Sequence, residues 1–234
     1  MSESRVAVIT GASRGIGLAT AKVFATAGFA LVITGRDQKR LDAIRTELAP
    51  ASVLALAFDV TDPAAVSRAF DAIQQNFANV DVLFNNAGVA HALAPVDQLS
   101  LDVWHSNLNT NLTGTFLVTR AAIPLMQRGS SIVNNLSVAA THPFPGMAAY
   151  NASKFGALGF TLALREDLRS RGIRVLALLP GATDTDIWQQ FWPEAPRQKM
   201  ILPATVAQAI LHAVNLPPEA AIDEIRIGPA AGVL

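Results

Sequence analysis

Tyr150 and Lys154 stand four residues apart in a stretch with helical spacing, so their side chains leave the same helix face one turn apart. Such a pair can move a proton: a free tyrosine titrates at about 10, and a nearby ammonium favours its phenolate by Coulomb attraction. The same spacing also occurs in exposed amphipathic pairs, so the reading depends on what surrounds it. Ser137 follows an apolar run ending at Leu136, which puts its hydroxyl at the carboxyl edge of a sheet, where open α/β proteins bind ligands; a serine there is also an ordinary turn residue. Asn111 lies in an apolar helical stretch, where an amide is disfavoured and needs partners. Near the N-terminus, Thr10, Gly11, Ala12, Ser13, Arg14, Gly15, Ile16 and Gly17 follow an apolar run and precede a helical pattern. Glycines at such a turn let backbone N–H groups and a helix N-terminus approach a pyrophosphate; the alternative is a plain tight turn between strand and helix.

Positioning these residues requires a sheet with helices on both faces. Apolar, β-branched runs at 6–10, 30–34, 53–58, 82–85, 131–136, 175–179 and 224–227 read as strands buried on both faces. Between them, 15–27, 37–48, 63–77, 101–128, 148–171 and 203–214 have helical spacing. This alternation implies βαβ crossovers and an α/β class: a doubly wound parallel sheet flanked by helices, in one domain over 1–234. The stretch 184–202 fits no element and carries Trp188, Phe191 and Trp192, which suggests a lid over a site. With Phe144 and Met147 these aromatics would wall a pocket beside Tyr150 and favour an apolar or aromatic carbonyl compound; the other reading is that they only anchor the lid to the body.

Composition narrows the function classes. Lysine and arginine total 18, as do aspartate and glutamate, so no basic field exists to hold nucleic acid or an anionic membrane. The chain has no cysteine, which removes disulfides, thiolate catalysis and cysteine metal sites. His91, His105, His142 and His212 are scattered without ligand spacing, so no metal is expected and each reads as a surface or packing residue. No apolar stretch is long enough to cross a bilayer core of ~30 Å, and the N-terminus MSESR runs into VAVIT without a leader pattern. A cytoplasmic protein is expected.

TGASRGIG, Asp59 with Val60, NNAG at 85–88, Asn111 in NLTG, Ser137, Tyr150 with Lys154, and Pro180 with Gly181 occur in order along nearly the whole chain. In this series the chain resembles the short-chain dehydrogenases/reductases. The resemblance implies a Rossmann-like sheet of seven strands in the order 3-2-1-4-5-6-7. It further implies hydride transfer between a nicotinamide cofactor and a carbonyl or alcohol, with Asn111, Ser137, Tyr150 and Lys154 as the catalytic group. Tyr150 would deliver or accept the proton, Ser137 would orient the substrate oxygen, and Asn111 would distort its helix and hold a water in a relay to Lys154. Gly11, Ser13, Arg14, Gly15, Ile16 and Gly17 would then bind pyrophosphate, with Asp59 and Val60 at the adenine. Asn85, Ala87 and Gly88 would lie beside the central cofactor, and Pro180, Gly181 and Thr183 or Thr185 against the nicotinamide.

Two alternatives stand beside this reading. A cofactor-binding redox sensor without turnover would be expected to show a broken catalytic group, and a nucleotide-sugar epimerase would need a substrate domain for which no room follows Val214. Cofactor choice reads from the end of the second strand. Gly35 occupies the place where NAD-specific relatives carry an acid, while Arg36 and Arg14 can converge on a 2′-phosphate, so NADP(H) is expected over NAD(H). Asp37 is assigned to capping the next helix. Finally, the helix from Ala148 has hardly any polar face before Arg165, which with the resemblance implies a homodimer or homotetramer packed through it.

Overall fold

The apolar runs form strands because helices cover both of their faces. The computed structural model describes residues 4–217 and 219–232. In it, β1 (Val6–Ile9), β2 (Ala30–Gly35), β3 (Val53–Ala57), β4 (Val82–Asn85), β5 (Ser131–Asn135), β6 (Arg174–Pro180) and β7 (Glu224–Ile227) pair in parallel in the order β3-β2-β1-β4-β5-β6-β7. The sequence reading of Met1–Glu3 as lacking a leader, and the parts of the 1–234 domain at Pro218 and Val233–Leu234, lie outside the described residues.

Side chains alternate across the sheet. Ala7, Ile9, Leu31 and Ile33 pack against α1 (Gly15–Thr26), α2 (Gln38–Glu47) and α7 (Pro203–Val214). Val6, Val8, Val32 and Leu83 pack on the opposite side, against α3 (Pro63–Asn76), α5 (Thr115–Ala122) and α6 (Ala148–Arg169). The starts of α2 and α3 follow capping chemistry. The Asp37 side chain accepts from Arg40 N–H at 3.1 Å to begin α2, and Asp62 accepts from Ala64 and Ala65 ahead of Pro63 to begin α3. Because the chain leaves β1 toward β2 on one side and later returns to β4 on the other, a crevice opens at the carboxyl ends of β1 and β4.

The single helix expected over 101–128 is corrected by the structure. It divides into α4 (Leu101–Leu108), a π-helical turn at Asn109–Gly114, and α5, followed by a short 3₁₀ turn at Ile123–Leu125. The physical reason for the wide turn is that the Asn111 amide is bonded to the Val89 backbone rather than left inside the helix, with Oδ1 accepting from Val89 N–H and Nδ2 donating to Val89 C=O, both at 2.9 Å. Pro124, which lacks an N–H, lies in the 3₁₀ turn that closes the helix. Residues 184–202 hold two short 3₁₀ turns, Asp186–Gln190 and Arg197–Lys199, and a parallel bridge joins Thr183 to Ile201 near the ends of this stretch. Among the described residues no helix is long and apolar enough to cross a membrane.

Candidate active site

Gly11, φ +63°, turns the chain out of β1, and a β-carbon there would lie 2.9 Å from Ala87 Cα. Gly17 has no room for a side chain either: a β-carbon would meet the Gly11 carbonyl oxygen at 2.4 Å and Asn86 Nδ2 at 2.5 Å. Gly17 therefore seats α1 against the turn and is not part of the cleft wall, whereas Ser13, Arg14, Gly15 and Ile16 line the cleft. Arg14 caps α1 with an extended backbone and no side-chain bond, so the first N–H groups of α1 point at the cleft with the positive end of the helix dipole. Arg40, absent from the sequence-level candidates, donates from Nε to the Ser13 carbonyl at 2.8 Å and fastens the turn to α2.

A second unanticipated residue is Asn86. Its Nδ2 donates to the carbonyls of Thr10 (2.9 Å) and Gly11 (3.1 Å), and its Oδ1 accepts from Asn135 Nδ2 at 2.9 Å, so it laces the ends of β1, β4 and β5. Thr10 Oγ1 accepts from the backbone N–H groups of Asn86 and Ala87 at 2.9 and 3.0 Å. Asn85, expected beside the cofactor, corrects that expectation. It is buried below the cleft, donating to Thr119 Oγ1 and Asn134 Oδ1, both at 2.8 Å. Strand alternation carries the signal, because Asn85 continues the face of Leu83, which packs toward α5.

The cleft holds about 760 Å³. One end is bounded by Gly35, Arg36, Phe58, Asp59 and Val60, the middle by Ala87 and Gly88, and the other end by Pro180, Gly181, Thr183 and Thr185 beside Ser137, Tyr150 and Lys154. Asp59 Oδ1 accepts from Thr61 N–H at 2.9 Å and Thr61 Oγ1 at 2.8 Å while the residue lines the cleft, and Asp37 Oδ1 caps α2 outside the cleft lining. Arg14 and Arg36 are exposed and line the end of the cleft beside β2. A dinucleotide fits this surface: a glycine turn that admits no side chain, a helix N-terminus aimed into the cleft, and guanidinium groups at the β2 end.

At the other end, Ser137 holds φ +97° and ψ +155°, a conformation that costs a non-glycine residue roughly 1–3 kcal/mol. Its hydroxyl accepts from Ala139 N–H at 3.2 Å and lies beside the Tyr150 phenol at the cleft edge. Burial holds Tyr150 above its ordinary value of 10, an effect that the neighbouring Ser137 hydroxyl only partly offsets. Burial also lowers Lys154 from 10.5 to about 8. Lys154 Nζ donates to the Asn135 carbonyl at 2.9 Å and lies 5.6 Å from the centre of the Tyr150 ring. Spacing alone suggested a lysine that lowers the tyrosine; in the folded protein, loss of hydration is the larger influence on both groups.

The helix carrying these residues is fixed at its start. Asn111 Nδ2 donates to Ser153 Oγ at 2.9 Å, and that hydroxyl donates to the Tyr150 carbonyl at 2.7 Å. His91, read from sequence as a surface or packing residue, is buried, and its Nε2 accepts from Tyr150 N–H at 3.4 Å. Its proton therefore belongs on Nδ1, 2.7 Å from the Ala92 carbonyl oxygen.

Phe144, Met147, Trp188, Phe191 and Trp192 all line the cleft. Phe144 and Phe191 pack on Met147, Ala139 and Tyr150, and Trp188 lies 4.8 Å from Phe191 between ring centres. Three side chains fix the 184–202 stretch. Trp188 Nε1 donates to Thr183 C=O (2.8 Å), Gln190 Oε1 accepts from Ala90 N–H (2.9 Å), and Arg197 donates to Asp184 Oδ1 and to Thr185 C=O (2.6 Å each). The aromatics both line the cleft and hold its rim.

The short chain dehydrogenase family profile matches residues 5–196. Serine 3-dehydrogenase of Agrobacterium fabrum is 39% identical over 180 residues, which are 76% of this chain and 72% of that protein. Sulfoacetaldehyde reductase 2 of Chromohalobacter salexigens is 35% identical over 238 residues, 97% of this chain and 94% of that protein. Among solved structures, an alcohol dehydrogenase of the archaeon Thermococcus sibiricus complexed with 5-hydroxy-NADP superposes with a TM-score of 0.89 at 28% identity, covering 98% of both chains.

Proposed function

The chain belongs to the short chain dehydrogenase family, and on that premise we propose that it is an NADP(H)-dependent oxidoreductase interconverting a carbonyl compound and its alcohol, with Tyr150 giving and taking the proton. The observation that carries the reading is the Tyr150–Ser137 hydroxyl pair at the cleft edge, with Ser137 held in a strained backbone conformation. The dinucleotide, when bound, supplies or accepts the hydride. In reduction, Tyr150 delivers its proton to the substrate oxygen, Ser137 donates a hydrogen bond to that oxygen and orients it, and Lys154 supports the phenolate left behind. Oxidation runs the same groups backwards. Asn111 fixes the loop after β4 through Val89 and the start of α6 through Ser153. Thr183, whose hydroxyl donates to the Gly181 carbonyl at 3.0 Å, and Thr185 would lie at the carboxamide end of the cofactor. A redox sensor without turnover is disfavoured because Asn111, Ser137, Tyr150 and Lys154 are all present.

NADP(H) is preferred because the exposed Arg14 and Arg36 line the β2 end of the cleft, where they can bond a 2′-phosphate, while Asp37 caps α2 through Oδ1 and does not line the cleft. The substrate is an apolar or aromatic carbonyl compound, admitted between the Phe144 and Phe191 walls, with residues 184–202 as its lid.

The test is turnover with NADPH and NADH against uncharged aromatic aldehydes, aliphatic aldehydes and a sulfonated aldehyde. The expected result is a preference for NADPH and for uncharged aromatic compounds. In Tyr150→Phe turnover falls about 10²- to 10⁴-fold while NADPH still binds. In Arg36→Ala the KM for NADPH rises about ten- to a hundred-fold and that for NADH much less. A wild type that prefers NADH overturns the cofactor choice. A Tyr150→Phe enzyme retaining more than about a tenth of the rate overturns the proton role.

A further inference from the structure

Asn151 follows Tyr150 on α6 and is buried, and its carboxamide makes three hydrogen bonds, all to the backbone of the loop between β5 and α6. Nδ2 donates to the carbonyls of Ala139 (2.8 Å) and His142 (3.1 Å), and Oδ1 accepts from Phe144 N–H (3.1 Å). The loop's own backbone offers little restraint. Pro143 and Pro145 have no N–H, and the bonds from Thr141 and His142 to the Val138 carbonyl and from Met147 to the Phe144 carbonyl are local turns. The outward backbone ties lie at its two ends: Leu136 and Ser137 N–H to the Leu178 carbonyl (2.8 and 3.4 Å), and Ala94 N–H to the Gly146 carbonyl (3.0 Å). The loop nevertheless carries Phe144 and Met147, which pack against Tyr150 at the substrate end of the cleft.

We infer that Asn151 is a positioning residue that sets substrate specificity, because its amide ties the Phe144 wall to the helix bearing Tyr150 and so fixes the width of the cleft. It takes no part in proton transfer. The inference rests on the oxidoreductase reading for its substrate, though the tether itself is independent of it. Asn and Asp differ here in a useful way. Aspartate keeps the acceptor for Phe144 N–H but turns an oxygen toward two carbonyl oxygens, whereas alanine loses all three bonds.

The experiment compares Asn151→Ala and Asn151→Asp with the wild type in NADPH-dependent reduction of 2-naphthaldehyde and acetaldehyde, alongside hydrogen–deuterium exchange of the Phe144 amide. In Asn151→Ala the KM for 2-naphthaldehyde rises about ten-fold, the KM for acetaldehyde, the KM for NADPH and both kcat values stay within about two-fold, and Phe144 exchanges faster. In Asn151→Asp the naphthaldehyde KM rises at least as much while the Phe144 amide stays protected. Equal effects on the two aldehydes, or a fall in kcat for both with a lowered melting temperature, overturn the specificity role. Unchanged Phe144 exchange in Asn151→Ala overturns the tether. A wild type that reduces neither aldehyde overturns the apolar-carbonyl substrate reading, and the specificity role with it, while the exchange measurement still reads the tether.

Discussion

Ser137 and Lys154 show how the folded environment stores cost at single residues. Ser137 occupies a backbone region that glycine enters freely, so Ser137→Gly relieves strain that Ser137→Ala retains. Urea unfolding should find Ser137→Gly more stable than Ser137→Ala by about 1 kcal/mol, while both variants lose turnover at least about ten-fold. Lys154 has its ordinary value of 10.5 when unfolded and about 8 when folded. Between those values the unfolded chain holds a proton that the native protein has released, so the native state gains stability as pH rises through that window. Below it the buried charge costs its full amount, about 3 kcal/mol for a displacement of that size. Tyr150 is displaced upward, so its contribution falls as pH passes 10, and the clean range is pH 8 to 10. Lys154→Met should therefore be more stable than the wild type at pH 7, and unfolding curves taken up to pH 10 should show the gap narrowing. A gap independent of pH would mean that Lys154 keeps its ordinary value in the fold.

At the scale of elements, the glycine turn is a packing device as well as an anion site. The β-carbon of a Gly17→Ala variant would overlap the Gly11 carbonyl and the Asn86 amide, and that amide joins three strand ends. The expected result is a loss of about 1–3 kcal/mol in unfolding free energy together with weaker NADPH binding by fluorescence titration. Wild-type values of both would show that α1 can shift away without consequence. The interrupted helix at Asn109–Gly114 belongs to this scale too, because a continuous α4–α5 would leave the Asn111 amide inside a helix, away from the Val89 backbone that it bonds.

Across the whole molecule, α6 divides its surface between a buried side, which holds Tyr150, Lys154, Ala157, Thr161 and Leu164, and an exposed stripe of Phe155, Gly159 and Leu162. Phe116 on α5 is exposed on the same helical layer and stacks edge-on against Phe160 of α6. Apolar groups of this size left in water favour burial against a second copy, and the proposal is a homodimer or homotetramer through this layer. Light scattering at micromolar concentration should give a dimer or tetramer, and Leu162→Glu should shift it to monomer; a wild-type monomer refutes the interface. The sequence by itself determined the parallel sheet, since runs buried on both faces and alternating with helices need helical cover on each side, and the motif series pointed to the doubly wound form. It also determined the order of the motifs, because strand ends at one sheet edge bring Gly11, Ser137 and Tyr150 to a common cleft however far apart they lie in the chain. Only the tertiary structure decided what depends on neighbours distant in sequence. Asn86 rather than Asn85 faces the cleft, the 101–128 helix breaks at Asn111, and His91 and Asn151 hold the start of α6 and the loop before it. It likewise decided that burial, more than the Tyr150–Lys154 spacing, governs the protons of that pair, because desolvation comes from every surrounding element at once and no local pattern encodes it.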